Sequence, residues 1–246
     1  MPQQTSFFLK HQLATMAALF SSASSRDSHR SLMYHSIYSD RSITDDIFSV
    51  NLKNFTQQVN ILKELDLSIV RFDEAKAGIS ITFDDGFLDN LTLAAPILFE
   101  AKLPFTVFVV SDYVDPAHPQ FVNKEQLKKM ASNPLVTIGS HGKTHRPLAT
   151  LPLEEALEDL RQSKIELENI IGKEVSTMSF PHGSFNENIL AGAEKLGFKK
   201  CGTSFPYPNQ LNQDSVQVDR QCIYFCESKL SYKQKLEGKW DRLWRK

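Results

Sequence analysis

A chain of 246 residues with a formal net charge of −1 has no overall field to draw it to nucleic acid or to strongly acidic ligands. Its 41% hydrophobic and 23% charged residues suit a packed globular core and exclude a disordered or fibrous chain. Three cysteines, Cys201, Cys222 and Cys226, do not make an extracellular disulfide framework.

The leading stretch MPQQTSFFLKHQLATMAALF lacks a basic start, and Lys10 and His11 interrupt its apolar part. An amphipathic leading helix is expected there rather than a secretory signal, and with it a cytoplasmic location; a periplasmic or membrane-associated one is the alternative. No run is long and apolar enough to span a bilayer. SLMYHSI is the first strand. NLKNFTQQVNILKEL is a helix, with Leu52, Phe55, Val59, Leu62 and Leu65 near helical spacing. LSIVRF is a short strand, and ISITF is a strand that ends on two carboxylates, Asp84 and Asp85. LAAPILFEAK is helical, with Pro96 in its first turn, and PFTVFVV has the β-branched and aromatic content of a buried strand. NKEQLKKMAS is a helix started by a capping box of Asn123 and Gln126. LVTIGSH is a strand. PLEEALEDLRQSKIELENIIG is a long amphipathic helix that stops at Gly172. VSTMSFPHG runs from a strand into a turn, NENILAGAEKLGF is a helix, and KKCGTSF and VQVDRQCIYF are the last strands. In QCIYFC the cysteines read as small buried hydrophobes rather than a metal pair.

Strands thus alternate with helices over short links, the pattern of a parallel sheet covered by helices, doubly wound or closed as a barrel. No repeat or linker interrupts it. One domain is expected over 1–246, with a leading helix or tail in 1–30 and a basic C-terminal segment in 227–246. That segment carries Trp240 and Trp244. It is expected to be a final helix packed on the barrel with a solvated basic face; peripheral membrane contact is the alternative.

In parallel α/β folds, chemistry collects at the carboxyl ends of the strands. Four of the seven histidines stand at such ends: His35 in YHS, His141 and His145 in SHGKTH, and His182 in FPHG. On one helical turn, the His-x-x-x-His spacing would put both imidazoles on one face. Two histidines and an aspartate make a three-ligand catalytic metal site with open positions. Such a site also explains why two like charges stand side by side: one binds the ion and the other remains a free carboxylate. Neighbouring strand residues point oppositely, so the chain must bend at the pair, and Gly86 permits this.

ITFDDG, SHGKTH and SFPHG, in this order, resemble the motifs of the polysaccharide deacetylase family, the NodB-homology carbohydrate esterases. The resemblance runs from about Ser31 to Tyr224. LMYHSI resembles the branch that includes the poly-N-acetylglucosamine deacetylases. The resemblance implies a distorted (β/α) barrel with fewer than eight regular units and metal-dependent hydrolysis of an N-acetyl group on an amino sugar. It places Asp84 as general base and Asp85, His141 and His145 as metal ligands. Two departures stand out. The family's third motif has a tyrosine, whose backbone N–H helps to hold the oxyanion, where this chain has His182. The family's late general-acid histidine has no counterpart after His182. In the branch with the YH strand the early histidine supplies the acid and maps to His35; its alternative is a structural histidine held by a backbone carbonyl.

The divalent ion expected is zinc, with cobalt, nickel or manganese as alternatives. Pro181, His182, Gly183 and Arg220 are the substrate-side candidates. Arg220 either orients Asp84 or makes a surface ion pair. Phe87 and the loop DYVDPAHPQF would shape a sugar cleft, with His118 as a solvated loop residue. The expected function is N-deacetylation of an amino sugar in surface-polysaccharide or glycolipid biosynthesis. The alternatives are hydrolysis of a formyl or cyclic amide, and an inactive sugar-binding protein on the same fold.

Overall fold

The computed structural model describes residues 2–23, 27–39, 46–115, 117–211, 215–241 and 243. Six parallel strands run β8-β7-β6-β5-β4-β1 across the sheet: β1 (Ser28–Tyr34), β4 (Gly78–Phe83), β5 (Phe105–Val109), β6 (Val136–Ser140), β7 (Thr177–Ser179) and β8 (Lys200–Gly202). The ends of this row are taken by β10 (Gln217–Val218), parallel to β8, and β11 (Arg220–Cys222), parallel to β1. Only Asp219 separates β10 from β11. One stretch of chain therefore pairs with one edge of the sheet and then with the other, and the sheet closes as a distorted barrel. Short strand β9 (Asn209–Gln210) adds to β1 antiparallel, and β2 (Ile37–Tyr38) pairs with β3 (Val50–Asn51) outside the barrel.

The helices α2 (Leu52–Glu64), α3 (Ala95–Glu100), α4 (Lys124–Ser132), α5 (Leu153–Ile171) and α6 (Glu187–Lys195) follow strands in turn. Their starts and stops obey local chemistry. Asn123 and Gln126 form the reciprocal capping box of α4, Pro96 sits in the first turn of α3, and α5 ends at Gly172. The main core lies between sheet and helices and takes Ile79, Ile81 and Phe83 from β4 and Val107 and Val109 from β5. By the two-residue period of a strand, Ser80, Thr82 and Asp84 face the other way, into the barrel. There a separate small cluster of Phe72, Phe108 and Val218 is buried.

Three expectations are corrected. LSIVRF makes only a single bridge, Ile69 to Ile79, rather than a strand. In QCIYFC only Cys222 lies in a strand; burial pushes both the Cys222 and Cys226 thiols up to about 12. The leading helix α1 (Pro2–Ala18) forms, but it packs His11, Thr15 and Ala18 inward and leaves Leu9, Leu13 and Met16 more than half exposed. Its partner is α7 (Lys229–Leu236), whose Gln234 donates to the Thr15 carbonyl at 3.2 Å. No helix among the described residues is long and apolar enough to cross a membrane.

The basic face expected of the last helix is only partly solvated. Lys235 is buried, paired with Glu227 and donating to the Cys222 carbonyl at 2.8 Å, and its ammonium lies 4.8 Å from the ring centroids of both Tyr224 and Trp240. Trp240 is itself buried; Trp244 lies outside the described residues. Burial alone would push the Glu227 carboxyl up, but Lys235 and His11, 3.1 Å away, hold it at about 2. A buried carboxylate stripped of its cation is costly, so Lys235→Met is expected to lower the unfolding free energy by ~3–5 kcal/mol in urea melts. Adding Glu227→Gln should recover part of that loss; a single substitution without effect would refute the pairing.

Candidate metal centre and its neighbours

The carboxyl ends of β1, β4, β6 and β7 meet at one rim. Asp84 continues the inward-facing row of β4, and its N–H is held by the Tyr34 carbonyl at 2.9 Å. Arg220, fully buried, meets it from β11 with two parallel bonds, Nη1 to Oδ1 at 2.6 Å and Nη2 to Oδ2 at 2.8 Å. It is therefore not a surface ion pair. The guanidinium also donates from Nε to the Thr203 carbonyl at 2.9 Å and lies 5.2 Å from the Phe108 ring centroid. Gly202 makes room for it, since a Cβ there would sit 2.7 Å from Arg220 Nε. Burial on its own would raise the Asp84 pKa; the Arg220 charge and hydrogen bonds, together with the neighbouring His141 and His35, outweigh it and hold the carboxyl well below the usual range.

The bend falls at Asp85 itself, with φ 71°, followed by Gly86 at φ 77°. This turns the Asp85 carboxylate away from Asp84 and toward His141 and His145, whose Nε2 atoms lie 3.4 and 3.1 Å from its Oδ1. Neither approach is aligned as a hydrogen bond, and Oδ1 is a buried oxygen without a hydrogen-bond partner. The three ligand atoms lie within 4.8 Å of one another, and no other such group of three occurs among the described residues.

His141 is buried, and its Nδ1 is 3.0 Å from the Ser179 carbonyl and 2.6 Å from Ser179 Oγ. A proton on Nδ1 serves that carbonyl and leaves the Nε2 lone pair facing Asp85. Burial lowers the His141 pKa to about 4, so the ring is neutral near pH 7, as a metal ligand must be. The donor set and the unpaired carboxylate oxygen both fit a divalent cation.

The His-x-x-x-His pair does not lie on the helical turn that its spacing suggests. Residues 141–147 form a loop, and His145 adopts φ 58°. The loop is shaped instead by Asp159 of α5, which accepts from the N–H groups of Lys143 at 2.7 Å and Thr144 at 3.2 Å and from Thr144 Oγ1 at 2.5 Å. Asp159 escaped the sequence reading, although a signal was present. It falls at i+3 from Ala156 and i−4 from Ser163 on the buried stripe of α5, where a carboxylate needs a reason. Ser179 also escaped it; its hydroxyl donates to Asp84 Oδ1 at 3.3 Å and so joins the two halves of the site.

Pro181, His182 and Gly183 form a tight turn beside this loop, with the Gly183 N–H donating to the Phe180 carbonyl at 2.9 Å. Pro181 is buried, whereas His182 is exposed at φ 56° and donates from Nε2 to the His145 carbonyl at 3.1 Å. His35 stands at the end of β1, half-buried, with its ring 4.8 Å from that of Phe48. It is close enough for its charge to bear on both Asp84 and Asp85. A row of rings leads away from the centre: His145 to Tyr113 at 5.9 Å, Tyr113 stacked on Phe121 at 4.4 Å, and Phe121 to Phe87 at 4.9 Å. His118 is exposed at its side, 5.7 Å from Tyr113.

The paired Asp84 sets a pH signature. Its folded-state pKa is depressed, so its stabilising contribution is complete above the ordinary carboxylate range and is lost as pH falls through the lower folded value. In Arg220→Met the same carboxyl would be buried without a counter-charge, and its pKa would rise. The variant is expected to unfold with ~3–5 kcal/mol less free energy at pH 7. That gap should narrow as the pH approaches 3; a gap constant with pH would refute the pairing as its source.

Comparison with known proteins agrees with this geometry. The family model described as polysaccharide deacetylase matches residues 73–201. The Bacillus subtilis protein YxkH, provisionally described as a polysaccharide deacetylase, is 30% identical over 195 residues, covering 77% of this chain and 69% of that protein. The poly-beta-1,6-N-acetyl-D-glucosamine N-deacetylase of Staphylococcus aureus is 25% identical over 173 residues, covering 62% of this chain and 60% of the enzyme. Among solved structures, the Streptococcus pyogenes deacetylase PplD superposes with a TM-score of 0.77 at 20% identity, covering 85% of this chain and 98% of that one. IcaB from Ammonifex degensii does so with a TM-score of 0.73 at 21% identity, covering 87% and 97%. By sequence, by barrel topology and by the groups that meet at its rim, the chain belongs to the polysaccharide deacetylase family.

Proposed function

We propose that the protein is a metal-dependent N-deacetylase that releases acetate from an N-acetylated amino sugar in polysaccharide biosynthesis. The observation that carries this reading is the convergence of Asp85, His141 and His145 on one point, with an ionised Asp84 beside it. Family membership and the staphylococcal relative's named activity support the substrate class. Asp85, His141 and His145 would hold the ion. Neutral imidazoles with one carboxylate suit zinc, and cobalt, nickel and manganese also accept this donor set.

A bound divalent ion supplies Lewis acidity and lowers the pKa of a water on it to about 7. That matters for Asp84, which Arg220 keeps ionised but makes a weak base, so it can take a proton only from an acidified donor. Ser179 and Arg220 hold its two oxygens in place for that transfer. The oxyanion would be met by the backbone N–H of His182, which does not depend on the side chain there. His35 would protonate the departing amine. Pro181 and Gly183 fix the turn that presents the His182 N–H, and the Phe87–Phe121–Tyr113 row offers apolar faces to a pyranose ring.

Metal content and acetate release from an N-acetylglucosamine oligomer test this together. Asp85→Ala should lose both. Asp84→Asn should keep the metal and lose turnover by about 10²-fold or more. Metal bound without acetate release from any amide would support the sugar-binding alternative, and undiminished turnover in Asp84→Asn would remove it as the base.

A further inference from the structure

His35 lies just past the point where the sheet stops holding the chain. The ladder between β1 and β4 ends at Tyr34 and Phe83, and β2 starts only at Ile37. Two consecutive residues, Asp89 and Asn90, grip the three residues in and after this gap. Asn90 Nδ2 donates to the His35 carbonyl at 2.8 Å. Asp89 Oδ2 accepts from Ser36 Oγ at 2.5 Å, and Asp89 Oδ1 accepts from the Ile37 N–H at 3.0 Å and from Asn90 Nδ2 at 3.0 Å. Asn90 is completely buried, and its Oδ1 is without a hydrogen-bond partner, as is the buried Nδ1 of His35.

We propose that Asp89 and Asn90 are positioning residues for the proposed acid, clamping the backbone at His35 so that its imidazole is fixed at the centre; this rests on His35 acting as the general acid. Three features favour this over a merely structural role. Asp89 and Asn90 stand three and four residues after Gly86, so a single short segment links the Asp85 bend to the residues that grip His35. Asn90 opens a π-helical turn, Asn90–Ala94, a rare helix form that occurs frequently at functional sites. The His35 ring is backed by Phe48 at 4.8 Å, with Nδ1 shut from solvent, which leaves Nε2 to exchange protons with substrate.

A general acid is needed to expel an amine and is hardly needed to expel 4-nitrophenolate. The test therefore compares acetate release from an N-acetylglucosamine oligomer with hydrolysis of 4-nitrophenyl acetate by the metal-loaded full chain. Asp89→Ala and Asn90→Ala should each lower the ratio of amide to ester turnover by about tenfold or more, chiefly through kcat with KM little changed. His35→Ala should lower the same ratio, and Asp89→Ala combined with His35→Ala should be no worse than His35→Ala alone. The ¹⁵N imidazole resonances of His35 should move in Asp89→Ala. If Asp89→Ala does not fold, Ser36→Ala, which removes one contact of the clamp, should lower the ratio in the same direction by less. Equal loss of amide and ester turnover, or losses that multiply in the double variant, would overturn the clamp. Unchanged amide turnover in His35→Ala would sink the acid assignment instead, and unmoved His35 resonances in Asp89→Ala would then overturn the clamp by themselves.

Discussion

Arg220 reaches Asp84 from the one stretch of chain that closes the barrel, and the rest of the site depends on that encounter. The segment from Gln217 to Cys222 pairs with β8 at its start and with β1 at its end. Arg220 therefore enters the barrel only when both edges of the sheet are joined. A carboxylate buried as Asp84 is would otherwise protonate, because desolvation disfavours its charged form. Closing the fold and ionising the proposed base are thus one event. The two parallel bonds to the guanidinium matter as much as the charge, since they fix the plane of the carboxylate as a lysine would not.

Backbone strain is concentrated around this pair. Among the described residues, five non-glycines have positive φ; Asp66 and Lys102 follow the ends of α2 and α3, and Asp85, His145 and His182 lie at the centre. Each such residue costs about 1–3 kcal/mol and persists only where its surroundings over-determine it. The surroundings are identifiable. Asp159 ties down the loop that carries His145, Ser179 holds both His141 and Asp84, and the His145 carbonyl receives His182. Asp159, Ser179 and His182 are not among the three proposed ligands. They convert strained local geometry into a fixed set of directions for the groups that are.

The alternation of ISITFDD was legible because a strand's two faces meet different surroundings: Ile79, Ile81 and Phe83 face the helices, and Ser80, Thr82 and Asp84 face the barrel interior, where they meet His29, the Leu32 carbonyl and Arg220. Helix limits were legible where a cap is a local event, as at Asn123. Partnerships across the chain were not. Nothing near Arg220 in the sequence says that Gly202 leaves a gap for it, or that β11 returns to β1. The spacing of His141 and His145 fits a helical turn as well as a loop, and only Asp159, from another element, decides for the loop. Lys235 looks like one more solvated lysine until Glu227 and two aromatic rings enclose it. In α1 the apolar periodicity marks the exposed face, because the buried face is fixed by His11 and Thr15 meeting polar groups of the chain's other end.

Asp84 and Asp85 are chemically identical neighbours, and the fold separates them by what each faces. Asp84 has both oxygens bonded, so its charge is fully compensated and adding a cation to it would gain little. Asp85 is half-buried, yet its buried Oδ1 has two ring nitrogens at hand and no hydrogen bond. An unpaired buried acceptor costs about 1–3 kcal/mol, and here that cost adds to a left-handed backbone. One residue bears both costs where a packing role would need neither. A divalent cation drawing on the same oxygen and on the lone pairs of His141 and His145 would offset them at a single point. The asymmetry between the two carboxylates is therefore the physical ground for giving them different work: one to hold the ion, the other to wait, ionised and oriented, beside it.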